Sequence, residues 1–270
     1  MSFFVCPICS LPLEGEKSLR CPNNHCFDRA KSGYVNLLSG KGGNHGDPKE
    51  MIQSRRNFLE KGFYLPLSDK ISKLAFEYTP DNGVLLDAGC GECYYTERIA
   101  SHFIKNGRKA VFTGIDVSKD AVNFGAKRFP GCSLAAASVY AMPIADSSVD
   151  TVINIFSPLA REEYRRVLKD NGIFIMAIGA EDHLWSLKRS VYDTPYKNEP
   201  CDYSLHGFEL LSKDRIRYDI SLESNEDIMN LFSMTPYYHK TSQRDIEKLK
   251  GLDRLFCEVD FEILVYTVIK

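Results

Sequence analysis

The sequence predicts an α/β protein: a doubly wound, mostly parallel sheet behind a small N-terminal metal-binding segment. Three observations carry this. From residue 84 onward, apolar runs of strand length alternate with helical stretches. The first strand of that series breaks into a glycine turn that opens a helix. Ahead of it, cysteine and histidine stand in pairs at metal-ligand spacing.

Residues 1–38 carry the metal pattern. Cys6 and Cys9 form a C-x2-C knuckle, eleven residues separate Cys9 from Cys21, and Cys21 to His25 is C-x3-H. Two such pairs on two turns can close a tetrahedral site, and three thiolates with an imidazole suit structural Zn2+. Cys26 rivals His25 as fourth ligand. A redox reading of Cys6–Cys9 would want the motif to open a helix, which Pro7 and Leu11-Pro12-Leu13 oppose. So short a segment has little core, so the metal would supply much of its folding energy. Phe27 to Leu38 reads as a hairpin or packed turn, and the glycine-rich 39–48 as a linker to a second domain spanning 49–270.

Residues 49–61 are helical in pattern, with Met51, Ile52, Phe58 and Leu59 on one side and Gly62 as the stop. Arg55 and Arg56 fall either on a solvated face or in contact with nucleic-acid phosphate. A second helix is expected at about 66–78.

The next stretch, VLLDAGCGECYYT at 84–96, organises the chain. Val84 to Leu86 make a strand, Asp87 ends it, Gly89 and Gly91 turn, and a helix starts at about Tyr94. A ligand belongs at such a strand–turn–helix junction. The first glycine allows the sharp turn and the second admits the ligand to the backbone. A dinucleotide fingerprint would want a third glycine, where Tyr94 stands. A second strand, 110–115, ends in Asp116, placed to take two ribose hydroxyls.

Further elements follow in alternation: helix 118–128, strands 133–137 and 149–155, helix 160–168, strand 172–178 and a helix at about 182–190. Residues 191–212 read as a loop over the cleft, 214–221 as a strand, 225–232 as a helix and 255–269 as a closing antiparallel strand. Ser138 follows the third strand, in a segment that resembles the one where S-adenosylmethionine-dependent methyltransferases often place an acid for the adenine amine. Asn154 and Phe156 follow the fourth, either as core or strand-end residues or as groups able to hold a flat base by hydrogen bonds and stacking. Asp182 and His183 follow the fifth.

Composition bounds the function class. Hydrophobic residues at 44% allow a real core, and charged residues at 26% are ordinary. Net charge is −2, but residues 1–62 hold nine basic against six acidic side chains, so a nucleic-acid footprint would be local and N-terminal. No run approaches a membrane span and the start lacks a signal-peptide shape, so the expectation is cytoplasmic, with reduced cysteines.

The turn at 87–91 with Asp116 resembles motifs I and II of the class I S-adenosylmethionine (SAM) methyltransferases, which implies a Rossmann-like sheet. Asp87 and the glycine turn would hold the methionyl part of SAM, and Asp116 its ribose. Adding the zinc pattern, Gly33 to Leu38, Arg55-Arg56, Gly62 to Pro66 and Met234-Thr235-Pro236, the whole chain resembles the RlmA family of 23S rRNA (guanine-N1-)-methyltransferases. That resemblance implies zinc ligands Cys6, Cys9, Cys21 and His25, and SAM contacts at Tyr64, Gly91, Glu92 and His183. It implies a 23S rRNA hairpin and a second copy of the chain as partners, with no DNA and no membrane. Cys93, in place of a common glycine, and the extra Cys26 depart from the pattern.

For the chemistry, the expected reaction is methyl transfer from SAM to guanine N1. Asn154 and Asp182 are the candidate catalytic groups, Phe156 and Tyr237 the candidate stacking platforms, and Arg55 and Arg56 the candidate RNA contacts. Two alternatives are a SAM-dependent enzyme for a small molecule, with no RNA-dependent turnover, and an RNA-binding protein with a relic SAM fold, which would not bind SAM. Intact Asp87, Gly89, Gly91 and Asp116 oppose the relic.

Overall fold

The structure, a computed structural model, describes residues 3–38 and 46–270. Of the linker expected at 39–48, residues 39–45 lie outside the described residues.

The N-terminal segment is a zinc-ribbon-like module of short strands: β1 (Ser18–Arg20) pairs antiparallel with β2 (Cys26–Asp28), and β3 (Val35–Asn36) follows. Helices α1 (Lys49–Glu60) and α2 (Leu65–Tyr78) come next. The alternating part runs β4 (Gly83–Ala88), α3 (Tyr94–Lys105), β5 (Ala110–Asp116), α4 (Lys119–Arg128), β6 (Ser133–Ala136) and β7 (Val149–Ile155). It continues through α5 (Arg161–Val167), β8 (Leu168–Gly179), α6 (Trp185–Val191), β9 (Phe208–Leu222), α7 (Asn225–Ser233), α8 (Gln243–Lys250) and β10 (Leu255–Val268).

The main sheet has eight strands in the order β3-β6-β5-β4-β7-β8-β10-β9. Its middle is parallel, and β10 runs antiparallel between β8 and β9. The order reverses at β4 and β7, which opens a crevice at their carboxyl ends. This is the Rossmann-like architecture of class I SAM methyltransferases.

Period-two alternation in the strands assigns side chains to two faces. Leu85, Ile153, Ile175 and Phe261 join α1, α2, α3 and the C-terminal helices in one core. Leu86, Val152, Phe174 and Leu264 join α5 in the other, together with Phe4, Leu13, Leu19, Val35 and Leu37 of the zinc module. The module thus covers part of a sheet face that a helix would otherwise cover. It also extends the sheet: β3 pairs parallel with β6, Leu37 N–H donates to Ala136 O at 2.9 Å, and Val5 N–H donates to Pro143 O at 2.9 Å.

Three local expectations change. The segment expected to loop through residue 212 is strand from Phe208, as the first half of a fifteen-residue edge strand. Its remainder is pinned by hydrogen bonds: Asn198 bonds Ala180 and Glu181, just past the carboxyl end of β8, and Tyr203 OH donates to Glu262. The helix expected from 182 starts at Trp185, because Leu184 takes a left-handed φ of 56°. Helix α8 went unread, since only Leu249 of its eight residues is buried and an apolar stripe is missing.

Candidate active site and metal centre

Each metal-ligand pair rides on a turn closed by a left-handed residue. Ser10 N–H returns to Cys6 O with φ 58° at Ser10, and Asn24 N–H returns to Cys21 O with φ 63° at Asn24. The turns bring one ligand atom each from Cys6, Cys9, Cys21 and His25 within 4.8 Å of one another. His25 Nδ1 lies 3.4 Å from both Cys6 Sγ and Cys21 Sγ, and Cys9 Sγ lies 3.6 Å from Cys21 Sγ. Tetrahedral zinc with bonds of ~2.3 Å to sulfur and ~2.0 Å to nitrogen spaces its ligands by roughly 3.5–3.8 Å. The donor set and the spacing therefore both fit Zn2+. Cys26 is exposed on β2 and outside this group, so His25 fits as the fourth ligand.

At the crevice, Asp87 ends β4 and is buried, and Thr96 Oγ1 of α3 donates to its Oδ2 at 2.5 Å. Burial pushes the Asp87 carboxyl up to about 8; the Thr96 bond opposes this, and nearby Cys93 and Asp116 add to it. A cationic ligand would reverse that shift.

The two glycines do different work. A Cβ on Gly89 would meet Ser157 Oγ at 2.1 Å, so Gly89 lets the loop after β7 close on the turn. In front of Gly91, φ 52°, the nearest atom to such a Cβ is Arg55 Nη1 at 4.0 Å, which leaves room for a ligand to reach the backbone. Cys93 takes the left-handed φ of 63° that a glycine would adopt readily, as N-cap of α3, and packs its thiol over Gly125 of α4.

Asp116 accepts from Gly91 N–H at 2.9 Å and Ser118 N–H at 2.8 Å. A carboxylate has about four lone-pair sites, so two remain for a pair of ribose hydroxyls. Ala137 N–H donates to Asp116 O, which sets Ser138 beside it; Ser138 Oγ accepts from Tyr140 N–H at 3.2 Å and keeps its own proton to donate. These groups fit SAM: carboxylates for the ammonium and ribose, a hydroxyl toward adenine and an open backbone at Gly91.

An aromatic wall closes the other side. Tyr64, buried between α1 and α2, packs edge-on against Phe58 and Phe261 at 5.0 and 4.9 Å and stands 6.2 Å from the His183 ring. His183 lies 4.5 Å from Phe261, and its Nδ1 accepts from Asp260 N–H at 3.3 Å, which places the ring proton on Nε2. Burial pulls the imidazole down to about 3, so His183 is a neutral donor and not a base at pH 7. Phe156, half exposed and held at φ 56°, joins this wall 5.4 Å from Phe261. A non-glycine residue in that region is strained, as residues presented to a ligand often are.

Other candidates are placed differently. Asn154 is 1% exposed; its amide donates to Pro158 O and Tyr164 OH, and its Oδ1 accepts from Ser157 N–H, so it shapes the loop. Asp182 pairs with Lys197 and Arg217, which hold its carboxyl below the usual range and make it a poor base. The Glu92 side chain lies between Arg56 and Arg128, and its Oε2 is buried without a hydrogen bond. Arg56 keeps 39% of its side chain exposed in this pair. Tyr237 packs under Lys188 and donates to Asn198. Arg55 pairs with Asp47 at 2.6 Å and faces the glycine turn. Sequence reasoning missed Thr96, Asp47 and Tyr95, whose hydroxyl is buried without a partner. The Tyr94-Tyr95-Thr96 run gave a helix start but not which side chains face inward.

Residues 4–41 match the family model described as RlmA, N-terminal, and residues 80–231 match one described as a methyltransferase domain. YxjB of Bacillus subtilis, named as a candidate 23S rRNA (guanine-N(1)-)-methyltransferase, is 32% identical over 98% of this chain and 96% of its own length. The chain belongs to the RlmA family. A Streptomyces fradiae relative named 23S rRNA (guanine(748)-N(1))-methyltransferase is 28% identical over 97% of this chain and 96% of its own. Among solved structures, BH2331 of Bacillus halodurans, titled a candidate methyltransferase, covers 75% of this chain and 99% of its own at 12% identity and a TM-score of 0.50. That likeness supports the fold alone; the RlmA assignment rests on the sequence relatives and the ribbon.

Proposed function

We propose that this protein transfers a methyl group from SAM to N1 of a guanine in 23S rRNA, within a hairpin loop. The observation that carries the reading is the joining of a Cys3His ribbon to the sheet edge next to a SAM-type crevice, in a chain similar over nearly its whole length to named rRNA guanine-N1 methyltransferases. SAM supplies a methyl group already activated on a sulfonium, so the protein's task is alignment. Asp87 and Asp116 would anchor the cofactor's ammonium and ribose, and Gly91 would give it room. Tyr64, His183 and Phe261 keep water from one side, and Phe156 offers a face for an unpaired or flipped base.

In this reading residues 1–38 contact RNA, 39–48 link, and 49–270 catalyse; the protein acts in the cytoplasm as a homodimer. The described residues include no helix long and apolar enough to cross a membrane. The test is transfer of tritiated methyl from SAM to unmodified 23S rRNA, followed by mapping of the modified nucleotide. Label at N1 of one hairpin-loop guanine is expected. Label reaching only small molecules would reject the RNA substrate.

A further inference from the structure

The geometry points to Arg55 and Tyr95 as the pair that reads the amino-acid tail of the cofactor, with Arg55 taking its carboxylate. This rests on the methyltransferase reading above and adds the residues that distinguish the tail from the nucleoside.

A SAM-type ligand carries a carboxylate as well as an ammonium. The crevice described so far offers acids and no cation: Asp87 and Asp116 suit the ammonium and the ribose and leave that carboxylate without a partner. A cation is needed, and most arginines near the turn are engaged elsewhere. Arg56 and Arg128 hold Glu92, Arg128 also holds Glu60, and Arg98 bonds Ser68 and Asp69.

Arg55 differs in placement. On α1 it stands within the stripe formed by the buried Met51, Ile52, Phe58 and Leu59, so the helix aims it inward. Its Nη2 donates to Asp47 Oδ2 at 2.6 Å, while its Nη1 faces Gly91 across the space a ligand would enter. A guanidinium has five donors in a fixed fork, so it can keep Asp47 and still bind a carboxylate. Asp47 is itself fixed, since its carbonyl accepts from Ser118 Oγ at 3.1 Å, next to Asp116.

Tyr95 gives the independent observation. Its hydroxyl is shielded from solvent and has no hydrogen-bond partner. It immediately precedes Thr96, whose hydroxyl holds Asp87, so it stands on the turn of α3 that faces the expected seat of the ammonium. A buried hydroxyl left unpaired is costly, and the tail of a bound amino acid would complete it.

The test is calorimetric binding to the full-length, zinc-loaded protein of two probes, S-adenosylhomocysteine and 5′-methylthioadenosine, the second lacking the amino-acid tail. Arg55→Ala should weaken S-adenosylhomocysteine roughly 10- to 100-fold. Arg55→Lys should recover part of that, as a point charge without the fork. Tyr95→Phe should weaken it about 3- to 10-fold while raising the melting temperature of the free protein. Binding of 5′-methylthioadenosine should stay within about 2-fold in all three, which also reports that the nucleoside site is intact. Equal loss of both probes, or unchanged S-adenosylhomocysteine binding with reduced RNA retention in Arg55→Ala, would overturn the inference and leave the methyltransferase reading standing. Failure of the unsubstituted protein to bind S-adenosylhomocysteine would overturn both.

Discussion

Asp87 shows how a single residue trades stability for binding. Its carboxyl is lifted to about 8 in the free protein, whereas an unfolded chain would hold it near 3.8. Between those values the native state keeps a proton that the unfolded state has lost, so this group's contribution falls as pH rises and is gone above about pH 8. His183 works in the opposite sense and in another window. Its imidazole is depressed to about 3, so its contribution is full above about pH 6.5 and is lost as pH falls toward 3. From pH 7 to 8.5 the two are separable, because only Asp87 titrates there. Asp87→Asn preserves an acceptor for Thr96 and removes the buried charge. We expect it to raise the melting temperature of the free protein, more at pH 8 than at pH 6, by an amount worth on the order of 1–3 kcal/mol. The same change should weaken S-adenosylhomocysteine about tenfold or more. Calorimetric melts at several pH values, with and without that ligand, check both halves; a destabilised variant that still binds would contradict the role given to Asp87.

Between elements, the contact of α3 with α4 is set by one unusual pair. A Cβ on Gly125 would come within 2.7 Å of Cys93 Sγ, so the thiol at the start of α3 occupies the space that α4 leaves. Gly125→Ala alone should cost about 1–3 kcal/mol through overpacking. In a Cys93→Gly background the same substitution should cost distinctly less, because the thiol is gone and only the Glu92 and Gly91 backbone at 3.3 and 3.4 Å still faces the new Cβ. Denaturant melts of the four-member cycle measure the coupling, and additive effects would refute it. The departure at residue 93 is thus compensated on the neighbouring helix, a fact the sequence could not show because Gly125 lies 32 positions on. What the sequence did show was whatever repeats along the chain: strand–helix alternation, the turn at Gly89 and Gly91, and the acid ending β5. It concealed elements without a buried stripe, such as α8 and the start of β9, where Leu210 and Leu211 are both exposed. It concealed β3, since two residues carry no period. For the candidate site, residue types near strand ends were legible but their partners were not. Asn154 and Asp182 look chemical in sequence, and the structure engages them with Pro158 and Tyr164, and with Lys197 and Arg217.

Across the whole molecule, the ribbon and the catalytic sheet share a core and a strand ladder, so metal and fold are linked. Phe4, Leu13, Leu19 and Leu37 pack with Val139, Met142 and Ile144 on one sheet face. Removing zinc should therefore lower the stability of the catalytic part as well as unfold the ribbon. A strong chelator is expected to lower the melting temperature and to speed amide exchange in β6 and the 137–144 segment, with β8 and β10 little affected. Exchange confined to residues 3–38 would show instead that the two parts are energetically separate.

The parallel seam between β3 and β6 also dictates how this protein can be taken apart. A version beginning after the ribbon would bare the flank of β6 and the apolar surface around Met142 and Ile144, an invitation to strand-on-strand clumping. The ribbon is accordingly better dissected by point changes at its solvent-facing tip, where Ile8 projects, than by excision.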